Sequence, residues 1–221
     1  MAAFFNLTLD TLAPQGVTLQ INAGAIYTAN KAVSLAIGCS DASTAGYSMK
    51  IWGSITGAAT EKDAQWETYA TSKTVTLTDG DGLKTIYVKV RDNVWNEADA
   101  VSATITLNTS IPVVTITGPD VSIISEITGK NTAKFNFTAD AIFDEYKVGV
   151  VPSNNSSVAD VTVIGTTGGS VNTSGTDGRY PADTNIEVSI NGTDFKTAAG
   201  GADGTYIIKV FVKNQAGTWS A

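Results

Sequence analysis

The chain has 221 residues, 43% of them hydrophobic and 16% charged, with a net charge of −7 and no histidine. The length suits one large domain or two ordinary ones, and 14 scattered Lys and Arg exclude a nucleic-acid groove, which needs clustered cations. The missing imidazole removes Ser-His-Asp triads and histidine metal sites, and a single cysteine, Cys39, leaves no intrachain disulfide.

The opening "MAAFFNLTLD" has neither the basic region nor the long apolar core of a secretory signal. No run approaches the roughly 20 apolar residues of a membrane helix, so no membrane span is expected. Residues 1–11 read as an arm ahead of the first domain, with Phe4, Phe5, Leu7 and Leu9 as its apolar residues. Then come "VTLQI", "AVSLAIGC", "YSMKIW", "KTVTLT", "TIYVKVR" and "SATITL". Each alternates apolar and polar residues, as a half-buried strand does, and each is bounded by Gly, Asp, Asn or Ser. No stretch of ten or more residues carries a helical period. The expected inward set includes Val33, Leu35, Ile37, Ile51, Val88 and Val90, with Cys39 as an inert thiol on the same face as Val33.

The second half repeats the first. "LTLDTLAPQGVTLQI" matches "ITLNTSIPVVTITG", with Pro14 answering Pro112, and "YSMKIWGS" answers "EYKVGVVPS". "DGLKTIYVKVRDNVWN" answers "DGTYIIKVFVKNQAGTWS", adding Val148, Val210 and Val212 to the inward set. A period of about 100 residues with about seven strands is the size of an immunoglobulin-like sandwich. The expected fold class is therefore all-β: two tandem immunoglobulin-like β-sandwiches, residues 12–109 and 110–221, joined by the short "LNTSIP". The second carries a long insertion, residues 153–184, whose "VTVIG" reads as an extra strand. Its polar tip reads equally as a solvated loop or as a contact to a neighbouring subunit or host surface.

The run "TYATSKTVTLTDGDGLKTIYVKVRDNVWNEADAVSATITLNTSIP" resembles the Ig-like repeats of bacterial surface proteins and of virion proteins of tailed bacteriophages. "SGTDGRYPADTNIEVSINGTDF" through "GTYIIKVFVKNQAGTWS" resembles a longer variant seen in phage structural proteins. The first domain departs in "DNVWNE", where that family has a glycine-containing turn. The resemblance implies a non-enzymatic virion structural protein of a tail, neck or capsid decoration, assembling with itself or other virion subunits and contacting host-surface carbohydrate. The alternative is a carbohydrate- or protein-binding module of a bacterial cell-surface protein.

No catalytic, cofactor or metal site is expected. The acids sit in turns, where Asp closes the chain on itself, and Asp79, Asp81 and Asp203 lack the spacing of a calcium loop. Trp52 and Tyr87 fall on the outer face of neighbouring strands, with Phe211 in a comparable place, so these three form the candidate contact face. Trp95 and Trp219 follow matching turns and read as plugs for the sandwich ends.

Residues 2–9 align with residues 100–107, the closing strand of the first domain, whereas the second domain reaches Ala221 with its own closing strand missing or very short. An arm that completes the second sandwich of a neighbouring subunit is the sharp reading. A flexible arm, an extra strand on the first domain and a chain cut from a longer array are the others.

Overall fold

The computed structural model describes residues 4–176 and 178–221. Residues 1–3 of the expected arm and Asp177 of the expected insertion lie outside the described residues. The chain forms two compact units, Met1–Thr109 and Ser110–Ala221.

Unit 1 contains β1 (Thr18–Ile21), β2 (Tyr27–Thr28), β3 (Ala32–Gly38), β4 (Ser48–Gly53), β5 (Glu67–Thr68), β6 (Ser72–Thr76), β7 (Gly82–Arg91) and β8 (Val101–Leu107). They form one sheet in the order β1-β3-β6 and a second in the order β2-β8-β7-β4-β5. Alternation along each strand sends one residue in two between the sheets, so Val33, Leu35 and Ile37 meet Ile51, Val88 and Val90 in one core. After β1 the chain turns through Asn22–Gly24 and changes sheet, so that β2 runs parallel to β8. Strand β8 therefore has a partner on each side, β2 and β7, and its buried Ile105 and Leu107 seal that flank of the core.

Unit 2 contains β9 (Val114–Thr117), β10 (Thr132–Ala139), β11 (Glu145–Val151), β12 (Thr162–Val163), β13 (Ser174–Gly175), β14 (Ile186–Asn191), the helix α1 (Gly192–Ala198) and β15 (Ile207–Lys213). One sheet runs β14-β10-β9; in the other, β11 pairs with β15 on one edge and with β12 and β13 on the opposite edge. Helix α1 has seven residues, too few to show a period in the sequence, and starts where the Asn191 side chain accepts the Thr193 N–H at 2.9 Å. Val148, Val210 and Val212 lie in the core with Phe135, Phe137 and Phe143. Every residue of the expected inward set is buried. Cys39 is the exception to its stripe: at the end of β3 it is half-buried, and its Sγ reaches the Gln15 carbonyl at 3.4 Å.

The insertion is knitted into unit 2 and is not a free tip. β12 and β13 extend the sheet beside β11, while Val171 bridges to Ser189 of β14 in the other sheet. Ile164 is fully buried in the core, and Tyr180 stacks on Phe143 with ring centroids 4.8 Å apart. These contacts tie the two sheets together along the β11/β14 flank. Among the described residues, no strand ties the sheets together in this way along the β15/β9 flank.

Candidate interaction surface

Strands β7 and β15 run into the same turn, which fixes how the units correspond. Asp92 accepts the N–H groups of Val94 and Asn96 at 2.9 Å each; Asn214 accepts those of Ala216 at 3.1 Å and Thr218 at 2.8 Å. Asp92 thus matches Asn214, and Trp95, at φ 72°, occupies the left-handed position that Gly217 fills at φ 87°. Trp219 matches Glu97, each bridging back to its strand at Lys213 and Arg91. The two tryptophans therefore do not occupy matching sites, and neither plugs a sandwich end. Trp95 is 73% exposed. Trp219 lies on the outer sheet face, with the ammonium groups of Lys147 and Lys213 at 4.9 and 5.5 Å from its ring.

The expected contact face is also rearranged. Trp52 stacks on Tyr87, centroids 5.6 Å apart and planes within 10°, but Trp52 is only 8% exposed, against 38% for Tyr87. Phe211 is fully buried. The Lys209 ammonium sits 5.0 Å from the Phe211 ring and donates to the carbonyls of Asn154 and Ser156, so the start of the insertion folds against this face. Of the three residues, only Tyr87 presents a ring to solvent. Beyond the arm, the most exposed aromatic of unit 1 among the described residues is Trp95. Between it and half-buried Trp66 lies the Arg91 guanidinium, 5.2 and 4.1 Å from the two ring centroids. Arg91 Nε itself is buried without a hydrogen-bond partner among the described residues.

The buried acids are structural. Burial alone would raise the pKa of Asp92, but hydrogen bonds from the Asn96 side chain and the turn N–H groups outweigh it and hold the carboxyl below its usual range. Asp194 follows the same logic: N–H groups of Ser170 and Gly168 overcome its burial and fix the insertion to the start of α1. Asp79 pairs with Lys31, and Asp81 accepts the Thr109 N–H at 2.9 Å. Among the described residues no three His, Cys, Asp or Glu side chains come together as a metal site.

What unit 2 does offer is an open flank. On the side of β15 away from β11, Trp219 and Ser220 close the end at Lys213 and Val212, and no strand is paired before them among the described residues; in unit 1 the same place is filled by β8. Beside this edge runs an apolar groove of about 570 Å³, lined by Ile116 of β9, Phe135, Ile190, Tyr206, Ile208 and Ile123 among others. Ile123 and Ile127, in the segment after β9, stay exposed. In unit 1 the segment after β1 leads into β2, which pairs with β8. The arm is equally bare: Phe5, Leu7 and Leu9 are at least 85% exposed. Its root is held by the Asn96 amide, which donates to the carbonyls of Asp10 and Leu12 at 3.4 Å.

No protein-family model matches the sequence, and no curated protein matches it. Among solved structures, the chain is similar to fibronectin(III)-like modules of Clostridium thermocellum CbhA, with 13% identity, TM-score 0.46, and 92% of this chain and 90% of that one covered. It is also similar to the BSP domain of a biofilm-associated protein (13%, TM-score 0.27) and to the chitinase ChiA74 of Bacillus thuringiensis (12%, TM-score 0.30). Each of these covers 92% of this chain, which in turn spans 28% and 30% of theirs. Likenesses of this size name no relative. The strand pairings themselves make the chain an all-β protein of two immunoglobulin-like sandwiches.

Proposed function

We propose that the chain is a non-enzymatic structural protein of a tailed-phage virion, and that it works by assembling through its immunoglobulin-like units. The observation that carries the reading is the open apolar flank of unit 2, an unpaired strand edge next to a groove of about 570 Å³. Soluble monomers rarely leave an edge and an apolar patch side by side, because the combination templates association. The sequence likeness to virion repeats supplies the setting. Sedimentation of the purified chain over a range of concentrations tests assembly, with mass rising above the monomer as the expected result and a monomer throughout as the contrary one. Immunogold labelling of particles from the source cells tests the setting, with label on virions expected.

One observation favours a second reading, a binding module of a bacterial surface protein. Trp95 is exposed in a backbone conformation that costs a bulky residue about 1–3 kcal/mol, and with Arg91 behind it the ring suits stacking on a sugar or peptide. Label on cell envelopes, with retention on a glycan array lost in Trp95→Ala, would favour that reading.

A further inference from the structure

We propose that residues 4–9 of one copy pair as an added strand with the free edge of β15 in a second copy, laying Phe5, Leu7 and Leu9 into the groove. This rests on the assembly reading above and names its partner. Unit 1 is the template. There β8 pairs antiparallel with β7, Leu107 facing Gly82, Ile105 facing Lys84 and Ala103 facing Ile86. The shared turn, Asp92 with Asn214, carries Gly82, Lys84 and Ile86 onto Gly204, Tyr206 and Ile208. The sequence match of the arm with β8 carries Ala103, Ile105 and Leu107 onto Phe5, Leu7 and Leu9.

Combining the two sets Leu9 opposite Gly204, Leu7 opposite Tyr206 and Phe5 opposite Ile208. Those three residues of the second copy line the groove. The same register turns Phe4, Asn6 and Thr8 outward, since successive strand residues face opposite ways. It also accounts for the shortness of β15. Strand β7 has ten residues and β15 seven; the three extra residues of β7, Gly82–Lys84, are the ones that pair with Ile105–Leu107.

A strand is a better occupant than a compact ligand, because the groove runs beside an edge of β15 with no strand partner among the described residues, and an extended backbone pairs with such an edge along its length. Within one chain the arm lies in solvent, and its alternating apolar residues complement the groove where the polar insertion does not. The contact is heterologous, donor arm to acceptor edge, so an open row of copies keeps one free arm and one free edge until a ring closes.

The test is sedimentation equilibrium of the 221-residue chain and three variants, with far-UV circular dichroism to confirm folding. Deleting residues 1–9 removes self-association, and Leu7→Asp with Leu9→Asp weakens it about 100-fold or more by forcing charge into an apolar groove. Thr8→Lys, facing outward, leaves it within about threefold, a change of less than 1 kcal/mol. A peptide of residues 4–12 binds the deleted protein one to one. Assembly at full strength without the arm overturns this proposal and leaves the assembly reading standing. A monomer at all concentrations overturns both. Equal losses in Thr8→Lys and the double variant overturn the register.

Discussion

Trp52 and Trp95 sit in the same sandwich and carry opposite structural weight. Trp52 has given up almost all its surface to the β4/β7 face, where it stacks on Tyr87. Trp52→Ala is expected to cost about 3 kcal/mol, as truncation of a buried aromatic does, measured by urea unfolding. Trp95 is exposed and holds a left-handed backbone that unit 2 gives to glycine. Trp95→Gly relieves that conformation while losing a cation–π contact with Arg91, so stability should change by no more than about 1 kcal/mol. A loss equal to that of Trp52→Ala would show that Trp95 is packing after all.

Asp92 and Asp194 make a second residue-scale prediction. Both carboxyls lie below their usual pKa in the fold, so their contribution is fully present above the unfolded value, about 3.9, and is lost as pH falls through the folded one. The thermal midpoint should hold from pH 7 to about 5 and drop below about 4. Asp92→Asn should flatten part of that acid slope and cost little at pH 7, because Asn214 closes the corresponding turn with the same pair of N–H contacts.

At the scale of elements, the insertion behaves as part of the core and not as an appendage. Ile164→Ala is expected to destabilise unit 2 by about 3 kcal/mol, seen as a lower urea midpoint for its transition, whereas a solvated loop would give no change. Strands such as Ala32–Gly38 were readable because half of each strand is buried against one core, and burial on one face writes a period of two. The single alternation break at Trp52, beside Ile51, was readable too, but only as outward-facing, since nothing local says what covers an outer face. Phe211 is buried by such cover: Lys209 lies over its ring and is held by the carbonyls of Asn154 and Ser156, more than 50 residues away. Trp95 and Trp219 look equivalent by residue type but stand two positions out of register, an offset that the turn hydrogen bonds of Asp92 and Asn214 fix. The departure of "DNVWNE" from a glycine-containing turn was the signal that pointed there. The open flank was visible as a missing repeat of β8, but the groove behind it depends on Phe135, Ile190 and Ile208, whose convergence is tertiary.

At the scale of the whole molecule, the proposed joint fills an edge of β15 that has no strand partner among the described residues, where unit 1 places β8. Such a joint is chiefly apolar side chains and backbone hydrogen bonds, so self-association should persist in high salt and strengthen in sulfate, unlike a joint made of ion pairs. The most direct measurement is hydrogen–deuterium exchange of the full chain at low and high protein concentration. The amides of residues 204–208 and 5–9 should become protected together as concentration rises, and both should stay open in the Leu7→Asp, Leu9→Asp variant. Assembly at high concentration with residues 204–208 still exchanging as fast as in the monomer would contradict that joint.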